Sequence, residues 1–183
     1  MRKDFGKKNY VYPQLVLILG TYDEDGTPNA MNAAWGGVYD TNEVFVSLSS
    51  HKTTENFERT GCFTLSFGVA DQTVACDYVG IVSGKNVPDK VAKAGWHAVE
   101  GKHVNAPIFE ELPLALECRV KSWEGGNLIG EVVNVSADES ILDSDGNIDS
   151  DKIAAIIYDP IKHKYRGVKE AVGDAFKDGN KLK

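Results

Sequence analysis

The stretch Ser47-Leu48-Ser49-Ser50-His51-Lys52-Thr53-Thr54-Glu55-Asn56 determines how this chain is interpreted. It joins an apolar run at residues 44–48, typical of a β-strand, to a run predicted to be a short helix. A helix N-terminus leaves backbone N–H groups without intrahelical acceptors and carries partial positive charge. Lys52 adds a full charge there. Hydroxyl groups come from Ser47, Ser49, Thr53 and Thr54. The pattern therefore predicts a loop that can bind a phosphate without a glycine-rich motif.

Taken alone, this loop also fits a solvated turn in which Thr53 caps the following helix and His51 faces water. Two further segments narrow the choice. Residues 26–35 read Gly-Thr-Pro-Asn-Ala-Met-Asn-Ala-Ala-Trp, and residues 76–85 read Cys-Asp-Tyr-Val-Gly-Ile-Val-Ser-Gly-Lys. The first follows a hairpin-turn signal, Asp25-Gly26, yet is poor in β-branched residues. Small side chains on a strand allow a flat ring to lie against the backbone, which favours a ligand contact.

The three segments, in this order, resemble the flavin reductase-like family, whose members include flavoredoxins. The resemblance extends over roughly residues 13–176. It implies one FMN-binding domain over residues 1–183, folded mainly as β-structure. The expected architecture is a split β-barrel, antiparallel and Greek-key-like, with short peripheral helices.

The same resemblance implies which residues contact FMN. In the loop, Lys52 and Thr53 hold the phosphate, with Ser47, Ser49, His51 and Asn56 nearby. The small-residue strand contacts the isoalloxazine ring through Asn29, Ala30, Met31, Asn32, Ala33 and Trp35. The resemblance also implies that Asp77 and Ser83 of the third segment, and Lys90 in the run that follows it, lie near the flavin. For Trp35, a plain core position is an equal alternative.

The chain read segment by segment favours the same architecture. Strands are predicted at residues 15–19, 29–35, 44–48, 62–67, 114–123 and 128–136, and short helices at 54–60, 71–80 and 89–94. Gly61 is expected to end the first helix, and Asp71 to cap the second. Strands at hairpin spacing favour a closed antiparallel barrel over a doubly wound sheet. No Gly-x-Gly-x-x-Gly follows a strand, so a dinucleotide-binding fold has no support.

Composition excludes several classes of protein. The net charge of −7 argues against a nucleic-acid surface. No apolar run approaches the ~20 residues that span a bilayer, and the N-terminus has no apolar signal core, so we expect a cytoplasmic protein. Three cysteines argue against a disulfide framework, and Cys76 and Cys118 are expected to be small apolar side chains. The histidines lack metal-ligand spacing, and the acidic run after Asp143 has Ala154 where a calcium loop needs Glu, so no metal site is expected.

The expected activity is transfer of hydride or electrons from NAD(P)H through FMN to free flavin or another acceptor, small molecule or protein. Flavin N5 carries this chemistry, so no catalytic side chain is assigned. Two alternatives remain: a flavoredoxin-like electron carrier with tightly bound FMN, and a non-catalytic flavin-binding module. The resemblance also implies a homodimer with the flavin near the interface. Residues 96–109 are expected to cover the site or to serve the partner subunit.

Overall fold

The computed structural model describes residues 1–168 and 170–183 and is mainly β-structure. The strands are β1 (Gln14–Leu15), β2 (Leu17–Tyr22), β3 (Pro28–Ala33), β4 (Gly36–Asp40), β5 (Glu43–Ser47), β6 (Cys62–Phe67), β7 (Ala98–Glu100), β8 (Pro107–Phe109), β9 (Leu114–Glu124), β10 (Asn127–Ala137), β11 (Ile156–Asp159) and β12 (Lys164–Gly167). The helices are α1 (Lys52–Thr60), α2 (Thr73–Ile81) and α3 (Lys90–Lys93). Short 3₁₀ turns lie at Ala70–Gln72, Glu139–Ile141, Ser150–Lys152 and Asp178–Leu182.

One antiparallel sheet dominates, with seven strands in the order β3-β2-β6-β9-β10-β5-β4. The register of the long β9–β10 hairpin shifts between Ile129 and Gly130 and again between Val132 and Asn134, and such irregularities bend a sheet. Strands β3 and β4 stand at opposite ends of the order, so hydrogen bonds do not close the barrel. The expected closed barrel is therefore a split one, and β3 has an unpaired edge.

The second strand is buried on both faces, which explains why residues 15–19 read as a continuous apolar run. Leu17 and Leu19 belong to one core cluster, which also contains Phe57 of α1 and Phe63 of β6. Val16 and Ile18, which alternate with these leucines along the chain, belong to a second cluster that also contains residues of α2 and α3. Strand alternation sends successive side chains to opposite faces, so β2 is the wall between the two cores.

Helix α1 is fixed at both ends. The Thr54 hydroxyl accepts from the His51 N–H at 2.9 Å and donates to the His51 carbonyl at 2.7 Å. Gly61 takes a left-handed conformation (φ 70°) and donates to the Phe57 carbonyl at 2.8 Å, as predicted for the residue that ends this helix. Fully buried Phe57 meets Trp123 edge-on, with ring centroids 5.3 Å apart. The N-terminus of α1 is thereby held in place against the sheet.

Two local expectations need correction, and one strand was not predicted. Asp71 does not cap a helix, because a 3₁₀ turn at Ala70–Gln72 comes first and α2 begins at Thr73. Strand β4 was not predicted because Gly36 and Gly37 have poor strand propensity. Residues 96–109 form no open loop: Trp96 and Phe109 are buried with ring centroids 5.2 Å apart, and β7 and β8 pair between them.

The cysteines are all buried and unbonded within the described residues. Burial raises the pKa of Cys76 to about 11 and that of Cys118 to about 12. Both therefore remain thiols at neutral pH, and both pack within the core clusters, as small apolar side chains would. Within the described part of the chain, no helix combines the length and apolar character needed to cross a membrane.

Candidate functional site

A groove runs along the unpaired edge of β3, between the start of α1 and the end of α2. It consists of two adjoining pockets that share Met31, Asn32 and His51. The first, called here the lysine pocket, has a volume of about 300 Å³. Its other lining residues are Asn29, Lys52, Thr53, Val79, Gly80, Ile81, Val82, Ser83, Gly84 and Lys90. The second, the tryptophan pocket, has about 350 Å³ and is otherwise lined by Ala33, Ala34, Trp35, Ser47, Leu48 and Ser49.

The position of the groove explains why side chains from both faces of β3 reach it. Met31 and Ala33 pack into the core on the α1 side of the sheet, whereas Asn32 points to α2 and donates to the Cys76 carbonyl at 3.0 Å. Because, among the described residues, β3 pairs only with β2, its outer backbone N–H and C=O groups are not used by the sheet. The groove therefore offers main-chain donors and acceptors along its length.

The first turn of α1 faces the lysine pocket. The backbone bonds of the helix begin with the Glu55 N–H, which donates to the His51 carbonyl at 3.3 Å. The N–H groups of residues 52–54 precede that bond and have no intrahelical acceptor. Lys52 and buried Thr53 both line the pocket at this point. Such a helix N-terminus favours an anion through its N–H groups and its dipole.

Lys52 carries a partner that the sequence did not indicate. Its Nζ lies 2.5 Å from Oδ1 of Asp23, which belongs to the turn between β2 and β3. The hydrogen bond to Asp23 raises the pKa of Lys52 above its ordinary value, so the ammonium group is charged at neutral pH. An anion that enters the pocket therefore meets a lysine already paired with a carboxylate.

Lys90 supplies a second, buried ammonium group. Its side chain is only 3% exposed, and its Nζ donates to the carbonyls of Val79 at 3.0 Å and Val82 at 2.7 Å. These carbonyls lie at the C-terminal end of α2, where the helix dipole is negative. Burial lowers the pKa of Lys90 to about 8, because no carboxylate offsets the loss of hydration. Lys90 thus neutralises the end of α2 that lines the lysine pocket.

Asn29 leaves an unsatisfied polar atom at the same pocket. Its Nδ2 donates to the Thr53 hydroxyl at 2.8 Å, but its buried Oδ1 has no partner among the described residues. Gly84 makes room for this amide, since a Cβ at that position would lie 2.5 Å from Asn29 Oδ1. Buried polar groups without partners are uncommon and costly. The unsatisfied amide therefore fits a pocket that receives a polar ligand.

The tryptophan pocket has a different character. The side chains of Ala33 and Ala34 are small, and Trp35 is 57% exposed. Of the two interpretations of Trp35, the core position is thus excluded. On the opposite wall, the Ser49 hydroxyl lies 2.9 Å from His51 Nε2. An open wall of small residues beside an exposed indole suits a flat aromatic group.

The structure brings most of the predicted site residues together. Those that line the groove are Asn29, Met31, Asn32, Ala33, Trp35, Ser47, Ser49, His51, Lys52, Thr53, Ser83 and Lys90. Three others do not line it: Ala30, Asn56 and Asp77. Ala30 is buried in the core cluster beside α2, on the same face of β3 as Asn32; Asn56 is buried and donates to the Thr21 hydroxyl at 3.1 Å; and Asp77 accepts from Tyr165. The twelve groove residues remain predictions as ligand contacts.

Sequence reasoning missed several groove features. Asp23 was assigned only to a turn, and Tyr165, which donates to Asp77 at 2.8 Å, lies in a C-terminal segment far from the site in sequence. No local signal links such distant positions. Residues 96–109 line neither pocket, so within this chain they do not cover the groove. Outside the groove, Arg166 pairs with Asp159 at 2.9 Å.

Comparison with known proteins agrees with this geometry. Residues 9–160 match the family model described as "Flavin reductase like domain". The chain therefore belongs to the flavin reductase-like family. Among curated proteins, none matches it by sequence.

Solved structures give the same result with more detail. Flavoredoxin of Desulfovibrio vulgaris (Miyazaki F) is 37% identical, with a TM-score of 0.93 over 98% of this chain and 100% of its own. Flavoredoxin from Methanosarcina acetivorans is 27% identical, with a TM-score of 0.88 over 100% of both chains. An FMN-binding domain of a flavin reductases-like enzyme from Shewanella baltica OS155, 20% identical, shares the fold with a TM-score of 0.77 over 88% of this chain and 89% of its own. The protein thus has a split-barrel, flavin reductase-like, FMN-binding fold.

Proposed function

We propose that the protein binds FMN in this groove and acts as a flavoprotein oxidoreductase. It takes hydride from NAD(P)H and passes electrons to free flavin or to another small-molecule or protein acceptor. The observation that carries the proposal is the pairing of two unlike pockets along one strand edge. One combines a helix N-terminus with two lysines, and the other is an open wall of small residues beside Trp35. FMN has a matching anionic end and flat end.

The residues at each end have distinct roles in this proposal. The first N–H groups of α1, the Lys52 ammonium and the Thr53 hydroxyl bind the phosphate. Lys90 adds positive charge at the same pocket. Its bonds to the Val79 and Val82 carbonyls also fix the C-terminal end of α2. The backbone of β3, with Ala33 and Trp35, orients the ring. Pockets of about 300 and 350 Å³ are each at the small end of the range for ligand sites, and a ligand of this length would occupy both.

Bound there, FMN would supply hydride and single-electron transfer at N5, and the chain supplies binding, orientation and electrostatics. Hydride transfer to N5 requires no protein base, so no side chain is assigned that role. The exposure of Trp35 leaves the tryptophan pocket open to solvent, which gives a nicotinamide ring access from that side. The dinucleotide then binds in a surface pocket rather than on a separate nucleotide-binding fold.

An electron carrier with tightly held FMN is the second candidate. It is favoured by the 37% identity to a flavoredoxin along essentially the whole chain. In that case a partner protein, not NAD(P)H, reduces the flavin. A non-catalytic flavin-binding module would hold FMN without cycling it.

One experiment separates these functions. The purified protein is freed of flavin, titrated with FMN, and then mixed anaerobically with NADH or NADPH while the visible spectrum is recorded. Loss of the flavin bands with a nicotinamide is the expected result. Bands that persist with both nicotinamides but disappear with dithionite would favour the carrier or the binding module. Failure to bind FMN would refute the proposal in all its forms.

We also propose that two copies associate with the flavin near their interface. The surface that continues from the tryptophan pocket is apolar and exposed, with Val38 at 86% and Tyr39 beside it on edge strand β4. Val38→Glu should shift the protein from dimer to monomer in light scattering. Val74→Glu is the matched control, because Val74 is 84% exposed but lies on α2. A monomeric wild-type protein would contradict this proposal without affecting FMN binding.

A further inference from the structure

A hydrogen-bonded row connects three separate elements beside the groove. The Tyr165 hydroxyl, on β12, donates to Asp77 Oδ1, on α2, at 2.8 Å. Asn32 Nδ2, on β3, donates to the Tyr165 oxygen at 3.4 Å and to the Cys76 carbonyl at 3.0 Å. Gly80 permits the close approach of α2, since a Cβ there would lie 3.0 Å from Asn32 Cβ. Of these residues, Asn32 lines both pockets of the groove.

The chemistry of the partners determines which atom donates and which accepts in each hydrogen bond of this row. A carbonyl oxygen only accepts, so the atom of Asn32 next to Cys76 is the amide nitrogen. The single Tyr165 proton is used by the Asp77 carboxylate, which leaves the tyrosine oxygen as an acceptor for Asn32. Burial, followed by the bond to Asp77, raises the pKa of Tyr165 above its ordinary value, so the hydroxyl keeps its proton. Both N–H groups of the Asn32 amide are therefore occupied.

It follows that Asn32 can offer the groove only its carbonyl oxygen, which is an acceptor. If Tyr165 and Asp77 were absent, the amide could rotate and present a donor instead. Among the ring nitrogens of an oxidised isoalloxazine, only N3 carries a hydrogen, so N3–H is the one hydrogen-bond donor of the ring. An acceptor held in a fixed orientation therefore matches the edge of the ring that carries N3–H.

We propose that Tyr165 is a positioning residue that, together with Asp77, holds the Asn32 amide so that its Oδ1 accepts from the flavin N3–H. This inference rests on the proposed function, because it assumes that the ring occupies the groove beside Asn32. Tyr165 itself does not line either pocket and acts through Asn32. The row also ties β12 and α2 to the edge of β3.

The test pairs two tyrosine variants with two flavins. Tyr165→Phe keeps the ring and removes the hydroxyl, and Tyr158→Phe is the matched control, because the Tyr158 hydroxyl bonds His163 at 2.8 Å on neighbouring β11. Binding is measured for riboflavin and for 3-methylriboflavin, which lacks the N3–H. Tyr165→Phe should weaken riboflavin binding roughly two- to tenfold, the value of one lost hydrogen bond, and 3-methylriboflavin binding much less. Tyr158→Phe should change neither.

A second readout needs no flavin. In the flavin-free protein, nuclear magnetic resonance should show faster hydrogen exchange at the Asn32 side-chain amide in Tyr165→Phe and in Asp77→Ala, but not in Tyr158→Phe. An unchanged exchange rate, or equal losses of affinity for both flavins, would overturn the inference. If the wild-type protein binds no flavin while the exchange rates change as expected, the proposed function fails and the holding of Asn32 stands.

Discussion

The ion pair between Lys52 and Asp23 makes a prediction that distinguishes phosphate binding from general effects on the groove. The two side chains are partly buried and 2.5 Å apart, so a bound phosphate must share Lys52 with a carboxylate. Lys52→Ala removes a charge-assisted bond worth about 1.5–3 kcal/mol. FMN affinity should therefore fall roughly 10- to 150-fold. Riboflavin has no phosphate, so its affinity should hardly change.

Asp23→Asn should act in the opposite direction. It removes a competing negative charge, and partly exposed ion pairs are worth about 0–1 kcal/mol, so FMN should bind up to roughly fivefold more tightly. The turn should survive, because an asparagine oxygen can still accept from the Glu24 N–H, as Asp23 Oδ1 does at 2.9 Å. In the Lys52→Ala background, most of this gain should disappear.

The assay is the ratio of the riboflavin and FMN dissociation constants, measured by calorimetry at low and high salt. Lys121→Ala is the matched control, because Lys121 is ion-paired with Glu43 and lines neither pocket. Salt should reduce the preference for FMN, since screening weakens the charge interaction. Equal weakening of both flavins by Lys52→Ala would refute the assignment of Lys52 to the phosphate.

Three further predictions concern the same groove. Gly84→Ala should weaken FMN binding roughly two- to tenfold in calorimetry, because the new Cβ would lie 2.5 Å from Asn29 Oδ1 and displace that amide; unchanged affinity would contradict the contact. Lys90 has a pKa of about 8, so FMN affinity should fall as pH rises through 8, whereas Lys90→Met should give a flatter profile. In the flavin-free protein the free energy of unfolding should rise as pH rises from about 8 towards 10.5, because the unfolded chain then binds more protons and the cost of burying a charged lysine disappears. Urea unfolding of both proteins checks the sign. Phe57→Ala should lower the free energy of unfolding by about 3–5 kcal/mol in urea, since it empties the site where α1 meets Trp123; a loss below 1 kcal/mol would show that the helix is not anchored there.

Local signals in the sequence were sufficient for the elements that carry the phosphate end of the groove. Gly61 ends α1 because it takes a left-handed conformation, and the strand predicted at residues 44–48 is present as β5. Local signals did not separate Ala30 from Asn32, because residues two apart on a strand share a face and both lie on the α2 side of β3. Long-range packing makes the difference: Ala30 is fully buried in the core with α2 and α3, whereas Asn32 lines both pockets of the groove.

The charge of the groove follows from the placement of helix ends rather than from composition. A chain with net charge −7 would be expected to repel a phosphate, and the C-terminus of α2 lines the very pocket where we place it. Two features of the fold nevertheless make this pocket favourable for an anion. The first turn of α1, the positive end of that helix, lies at the pocket, and buried Lys90 binds the Val79 and Val82 carbonyls that would otherwise present negative charge. A lysine so buried costs hydration energy, as its lowered pKa shows, and an anion beside it would recover part of that cost. Binding of the phosphate should therefore raise the pKa of Lys90, which couples ligand affinity to the protonation of one identified side chain.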